Sequence, residues 1–338
     1  MEISISADSS WKETDTHFIR AIENPWYRSL VEMNHLISKY TMLFYNTKNI
    51  KTMHLPITTG SISSPMGLGS DSLPVKVNLC GCDTYLADSM QFSLEYGCRF
   101  FEKGVWYIMP SFRGESEDER HLSQFYHSEA EIPGNLEDVM ELVEEYLKYL
   151  CTNILKDYEE ELIKIAGDTK HIHDFIKMEK IPRVTFDEAV KILEDKEEYI
   201  QHSELGFRNI TSKGEKALMK HFNGVVWLTN FDVMAVPFYQ ATTDNGRLAK
   251  NADLLFGIGE TVGSGERHAT GEEVRKSLEI HNVREEEYKW YIELKDKFPM
   301  KTSGFGMGIE RFILWLTKKD DIRDCQILPR FIGKNIVP

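Results

Sequence analysis

Positive charge is scarce in this chain. Against 54 Asp and Glu it carries 40 Lys and Arg, a net charge of −14 over 338 residues. A protein whose main work is holding DNA or RNA needs a basic face for phosphates, so that class is disfavoured, and the acidity suits solubility. No run approaches the ~20 apolar residues of a membrane-spanning helix, so no membrane partner is expected. Cysteine is sparse and odd in number: Cys80, Cys82, Cys98, Cys151 and Cys325. Cys80-Gly-Cys82 lacks the two-residue spacing of a zinc or redox pair, so these read as buried or idle thiols in a reducing compartment. The start, Met1-Glu2-Ile3-Ser4, has neither basic residues nor an apolar stretch, so no signal peptide is expected. A cytoplasmic protein fits these absences. What is present suffices for a sizeable core, with 41% hydrophobic residues and no linker or internal repeat to divide it.

Periodicity suggests one α+β domain over 1–338, an antiparallel β-sheet flanked by helices. Residues 1–50 read as a helical lead-in, with Leu30, Met33, Leu36, Ile37 and Tyr40 on one face. Ile50–Ile57 resembles a strand ended by Pro56. Thr58–Ser72, rich in Gly, Ser and Pro, reads as a loop, either a connector or a flap over a pocket. Strands are expected at Val75–Leu79 and Val105–Met109, with a helix over Leu86–Phe101 between them. Asn135 is a plausible cap for a long helix to about Leu162, striped by Leu136, Val139, Met140, Val143, Tyr146, Leu147 and Leu150. Capping boxes at Thr185-x-x-Glu188, Ser212-x-x-Glu215 and Thr270-x-x-Glu273 predict three more helix starts. Residues 160–225 read as a helical insert. Further strands are expected near Val225–Thr229, Val236–Tyr239 and Asp253–Gly257, and helices over 285–296 and Gly308–Thr317.

Two distant segments carry the chemistry. One runs Ser111-Phe-Arg-Gly-Glu115, then Arg120-His121, Phe125 and Glu129-Ala-Glu131. Arg113 follows a strand, a rigid platform for a planar fork that suits phosphate oxygens. Glu115 could accept from an adenine amine or an ammonium, Arg120 and His121 could reach outer phosphates, and Phe125 could stack a purine. The other segment is Gly304-Phe-Gly-Met-Gly-Ile-Glu-Arg-Phe312. Alternate strand glycines often mark close approach of a ligand, and Arg311 opens the helix that follows. A third cluster holds Asp253, Glu260 and Arg267. Two carboxylates near a strand end suit Mg2+, and Arg267 could hold a substrate carboxylate. Singly these are ordinary surface features; their joint occurrence suggests ATP and a carboxylate activated by it. His171-Ile-His173-Asp174 reads instead as a solvated loop.

The two segments resemble motifs 2 and 3 of the class II aminoacyl-tRNA synthetases, and are most similar to the asparaginyl and aspartyl catalytic core. The likeness runs over about 50–332. It is supported by Tyr85-Leu-Ala-Asp-Ser-Met-Gln91, Pro182-Arg-Val-Thr-Phe-Asp-Glu-Ala189, Pro237-Phe-Tyr239, Tyr288-Lys-Trp-Tyr291 and Ile322-Arg-Asp324. The resemblance implies a homodimer, with Pro56 at its interface. It implies that Arg113 contacts the α-phosphate and acyl carboxylate, that Glu115 faces adenine, and that Phe125 and Arg311 cover its two faces. Arg120, His121 and Arg311 would hold outer phosphates, and Asp253 and Glu260 would bind Mg2+. Ser89, Gln91 and Glu129 would hold a substrate amino group, Arg267 the far end of the substrate, and Glu95 would favour an Asn- or Asp-like ligand.

The chain departs from the synthetase pattern in several places. About fifty residues precede motif 1, too few for the family's anticodon-reading barrel. The order in Val262-Gly-Ser-Gly-Glu-Arg267 is altered, Thr302-Ser303 replaces the usual Pro-His, and Gln124 stands where a glutamate is usual. These changes count against tRNA charging and leave adenylation intact. The chain therefore resembles ammonia-using asparagine synthetases: ATP would adenylate aspartate or a similar acid, and ammonia or an amine would attack. Other readings are amide or nitrile formation on a specialised metabolite or peptide, a tRNA ligase without anticodon reading, and a non-catalytic regulator.

Overall fold

The computed structural model describes residues 5–64, 73–243 and 245–337. The chain opens with α1 (His17–Glu23) and α2 (Pro25–Lys48). Asn24 caps α2 by accepting from the Trp26 amide, Pro25 occupies the first turn, and Asn49 ends it in the left-handed region at φ 59°. The expected strand over 50–57 shrinks to β1 (Lys51–Thr52). Its pairing with the neighbouring strand ends at the Met53 amide, and Pro56 has no N–H to continue it. The Thr58–Ser72 loop begins with β2 (Thr58–Thr59), and its residues 65–72 lie outside the described ones.

β3 (Val75–Leu79) turns directly into β4 (Cys82–Leu86). Cys80 (φ 53°) and Gly81 (φ 84°) form the two-residue turn, which needs positive φ at both positions. That turn explains the Cys-Gly-Cys run, whose two thiols are exposed and free. Leu86 accordingly ends a strand, and the helix expected over 86–101 is only α3 (Gln91–Gly97). β5 (Val105–Phe112) and β6 (Gln124–Pro133) form a long hairpin. Asn135 caps α4 (Leu136–Ala166) in a reciprocal box with Asp138, and the expected stripe is buried except at Leu136, which is partly buried. The stretch 160–225 holds α5 (Lys170–Lys177), α6 (Phe186–Ile192) and α7 (Ser212–His221), and also short strands β7 (Arg183–Thr185), β8 (Ile200–His202) and β9 (Arg208–Ile210).

Then come β10 (Val226–Thr229), β11 (Asn251–Phe256) and β12 (Gly259–Glu266). Val236–Tyr239 is not a strand: a short 3-10 turn, Val233–Ala235, precedes it, and Val236, Phe238 and Tyr239 are buried in the loop around Pro237. α8 (Gly271–Ile280) has the expected Thr270–Glu273 box. α9 (Lys289–Lys297), β13 (Thr302–Gly308) and α10 (Ile309–Thr317) complete the fold.

The main sheet has eight strands in the order β1-β5-β6-β13-β12-β11-β10-β7. Its centre is antiparallel, and its outermost pairs, β1/β5 and β7/β10, are parallel. Alternation sends Ala130, Phe305, Met307, Val262 and Leu254 to one face, where they join α2, α4 and α10 in the largest core cluster. Among the described residues, no helix is long and apolar enough to cross a membrane.

The Ser212 box is corrected. Thr211 is the cap, accepting from the Gly214 amide, and Glu215 turns away to pair with Arg120 at 2.5 Å. Thr211→Ala should therefore lower stability by ~1 kcal/mol, whereas Ser212→Ala should stay within about 0.5 kcal/mol of wild type. Urea unfolding of both variants checks this, and the reverse order would restore Ser212 as the cap.

Candidate functional site

The other face of the sheet is polar, and its register explains why. Tyr107 pairs with Glu129, Glu129 with Gly306, Gly306 with Gly263, and Gly263 with Asp253. The next row runs Val105, Glu131, Gly304, Gly265, Asn251. Carboxylates thus stand beside glycines in a single plane. A Cβ on Gly304 would lie 1.8 Å from Glu131 Oε2, and one on Gly265 would lie 1.7 Å from Gln240 Oε1. Only glycine lets those side chains lie across the sheet. Above this floor is a cleft of about 440 Å3, lined by Ser89, Gln91, Arg113, Glu129, Asp253, Glu260 and Arg267 among others. A narrower cleft of about 140 Å3, lined by Arg120, His121, Phe125 and Arg311, adjoins it. Arg113, His127, Glu260 and Gly306 line both.

Eleven of the thirteen expected residues line these clefts; Glu115 and Glu95 line neither. Arg113 leaves β5 with its guanidinium 5.5 Å from the Phe125 ring centre, and its buried Nε has no hydrogen-bond partner among the described residues. A buried donor left unpaired is expensive unless a ligand supplies an acceptor. Glu115 accepts from the Leu73 amide through Oε1, and its buried Oε2 has no partner among the described residues. Arg311 donates to the carbonyls of Glu260 and Arg120, and Arg120 pairs with Glu215. His121 is more exposed, at the mouth, 2.9 Å from Asp118.

At the other end, Ser89 Oγ donates to Glu129 Oε2 at 2.6 Å and accepts from the Gln91 amide. Arg267 is buried over the Tyr239 ring and held by Glu131 and by Gln240 at 3.2 Å. Burial pushes Glu131 up, against the pull of Arg267.

Glu95 departs from expectation. It lies behind the cleft wall, fully buried, 2.5 Å from Lys295 Nζ and 2.9 Å from the Tyr291 hydroxyl. A carboxylate this far from water needs a cation, and Lys295 satisfies that need, so Glu95 reaches the cleft only through Gln91 Nε2 at 3.3 Å.

Asp253 and Glu260 converge over Gly263. A Cβ there would be 2.8 Å from Glu260 Oε1 and 3.8 Å from Asp253 Oδ1. Burial, then repulsion from Glu260 and Glu215, pushes Asp253 well above the usual carboxylate range. A hard divalent cation would relieve that repulsion, so the donor set fits Mg2+. Among the described residues no group of three or more His, Cys, Asp or Glu is arranged to hold a metal, so phosphate oxygens would have to complete the shell.

Four residues escaped the sequence reading. Glu215 lies on a helix expected only to cap itself. Lys295 sits in a polar helix and ends fully buried. Asp88 accepts from Ser63, Ser64 and Ser89 amides and pins the 61–64 loop to the site. His127 occupies the strand position between Phe125 and Glu129, and that alternation was the one available signal.

The chain matches the family model "tRNA synthetases class II (D, K and N)" over residues 12–332, and therefore belongs to that family. Its fold is similar to asparaginyl-tRNA synthetase of Pyrococcus horikoshii in complex with asparaginyl-adenylate. The TM-score is 0.84 and the identity 23%, over 94% of this chain and 71% of that one. It is also similar to the Entamoeba histolytica asparaginyl-tRNA synthetase complex with asparaginyl-adenylate, at TM-score 0.82 and 22% identity, over 98% and 73%. A putative aspartyl-tRNA synthetase from Leishmania major Friedlin gives TM-score 0.74 and 16% identity, over 91% and 66%.

Two stability predictions follow from buried charge. Lys295→Met strands Glu95 and should cost about 3–5 kcal/mol in urea unfolding at neutral pH, part of it recovered by adding Glu95→Gln. Glu310, buried at the start of α10 and accepting from the Tyr126 amide, is pushed by burial from 4.5 to about 7. The folded state thus holds this proton more tightly than the unfolded one. Glu310's contribution to stability is present below pH 4.5 and is lost as pH rises to about 7. Glu310→Gln should flatten that slope in unfolding measured across the window; an unchanged slope would assign it to other groups.

Proposed function

We propose that this member of the class II D, K and N synthetases is an ATP-dependent, AMP-forming ligase. It adenylates aspartate or an Asp- or Asn-like acid and passes the acyl group to ammonia or an amine. The observation that carries this reading is Arg113, its buried Nε unpartnered among the described residues, standing where the two clefts meet. A guanidinium there neutralises charge as a carboxylate oxygen attacks the α-phosphorus and the bond to pyrophosphate breaks.

The remaining roles follow from position. The narrower cleft takes the nucleotide, with the base against Phe125 and Arg311 and the outer phosphates toward Arg120 and His121. Asp253 and Glu260 hold Mg2+, which supplies charge neutralisation on the phosphates when bound. In the larger cleft, Glu129, Ser89 and Gln91 take the substrate ammonium. Arg267, held flat by Glu131 and Gln240, takes its α-carboxylate, so that the side-chain carboxylate of aspartate faces phosphorus. The amine then attacks the acyl carbon, the C–O bond to AMP breaks, AMP leaves with the electron pair, and the nitrogen sheds a proton. Alignment and charge stabilisation supply most of the catalysis, because the mixed anhydride is already activated. The assembly is a homodimer with Pro56 near its interface. The net charge of −14 favours a small acceptor over tRNA.

Mass spectrometry of the protein with ATP, Mg2+, ammonium and either aspartate or asparagine tests the reading. AMP with asparagine supports it. AMP with a dehydrated product of asparagine moves it to nitrile formation on the same adenylate. No AMP together with no nucleotide binding overturns it. Arg113→Ala should lower AMP formation by roughly 10²-fold or more while leaving the circular dichroism spectrum intact; unchanged turnover would sink the assignment.

A further inference from the structure

The ligase reading leaves one proton without a destination, the one the nitrogen loses as the C–N bond forms. We propose that His127 is the base that accepts it, with Glu129 as the group that sets its tautomer; the inference rests on the ligase reading above. His127 is the only histidine that lines both clefts among the described residues, beside Arg113 and Gly306. Its side chain is 15% exposed, enough to meet a ligand.

Among the described residues the ring's hydrogen-bond partners lie on one side only. His127 Nδ1 lies 2.9 Å from Glu129 Oε1 and 3.0 Å from Ser111 Oγ. An ionised carboxylate can only accept a hydrogen bond, so Nδ1 carries the hydrogen, with the Ser111 oxygen as a second acceptor. In the neutral ring Nε2 is then bare, and its lone pair is the free one. Phe125 meets the ring edge-on with centres 4.8 Å apart and limits its rotation. This is the logic of an acid–histidine pair: the carboxylate orients the imidazole and stabilises the cation formed when the far nitrogen takes a proton.

The other imidazoles and acids near the clefts are less suited. His121 is paired with Asp118 at the mouth, and His268 lies behind the cleft beside Lys295. Glu95 and Glu131 are each neutralised by a buried cation. The charged groups around His127 among the described residues are Glu129 on its own strand, Arg113 at the end of β5, Glu260 of β12, which lines the same two clefts, and Arg311 beyond Gly308, the residue paired with His127 across β13. In the step itself the nitrogen lone pair forms the C–N bond and the C–O bond to AMP breaks. The N–H proton passes to Nε2 and then to solvent.

Glu129 holds two groups at once, Ser89 through Oε2 and His127 through Oε1. The residue that recognises the substrate's amino group therefore also aims the base.

The test uses the full chain as wild type, His127→Asn and His127→Gln. ATP–pyrophosphate exchange reads adenylation. Rapid-quench transfer from the adenylate is read with ammonia and with hydroxylamine, a stronger nucleophile that is already uncharged at neutral pH. Relative to adenylation, transfer to ammonia should fall by roughly 10²-fold or more, and transfer to hydroxylamine far less. Equal loss with both nucleophiles, or none with either, overturns the proposal and leaves the ligase reading standing. Should the variants fail to fold, nitrogen-detected NMR of the wild-type ring decides: a neutral ring protonated at Nδ1 is expected, and one protonated at Nε2 overturns the assignment. Absence of exchange by wild type with every acid tried would instead remove the ligase reading and this inference with it.

Discussion

The polar face of the sheet depends on four missing side chains. Gly263, Gly265, Gly304 and Gly306 sit in two adjacent rows across β12 and β13. Their emptiness lets Glu131, Gln240, Glu260 and Glu129 lie nearly flat against the backbone. A strand glycine ordinarily weakens a sheet, because it packs nothing and loses more entropy on folding. Here the lost packing is confined to one face. On the other face the same two strands present Val262, Phe305 and Met307 to the helices, all buried. The sheet is therefore held together from behind, and its front is free to be shaped by charge.

That front is organised as pairs. Arg267 with Glu131, Lys295 with Glu95 and Arg120 with Glu215 each match one buried or half-buried carboxylate to one cation. Such pairs contribute little net stability, since desolvation offsets most of the attraction. Their use is directional, because a paired side chain has few positions open to it. Arg267 is held from two sides, and Glu129 holds both Ser89 and His127. Among the described residues Arg113 stands out by its unpaired Nε, and Asp253 and Glu260 by their mutual repulsion, with Arg311 reaching Glu260 at 4.0 Å. Unmet donors and unrelieved repulsion mark where ligands would complete the structure.

Much of this was legible in advance, and the failures have common causes. The long helix was readable because a 3.6-residue stripe and an Asn cap agree over many turns. The Arg113 and Gly304–Arg311 segments were readable because they are local and their residue types are unusual. β6 and β12 were not picked out as strands, because Glu, His and Gly alternate there where a half-buried strand usually shows polar and apolar residues. The Leu86–Phe101 helix was overextended because Cys80-Gly-Cys82 was weighed only as thiols, buried or idle, and not as the hairpin turn that makes Cys82–Leu86 a strand. Ser212 looked like a cap because Glu215 has the right spacing, and tertiary pairing with Arg120 took that glutamate away.

The sequence by itself determined which chemistry was present: the guanidiniums, the carboxylates and the glycines, in an order that places the chain in its family. These are properties of residue type and short spacing, which survive any folding of the rest. Only the tertiary structure decided the partners. It set Glu95 behind the wall on a lysine 200 residues away, bent Glu215 into the site, and brought His127 onto Glu129 between two clefts. Those outcomes turn on strand register and on burial. A shift of one residue would send every side chain of a strand to the other face, and a carboxylate removed from water must find whichever cation the fold brings within reach.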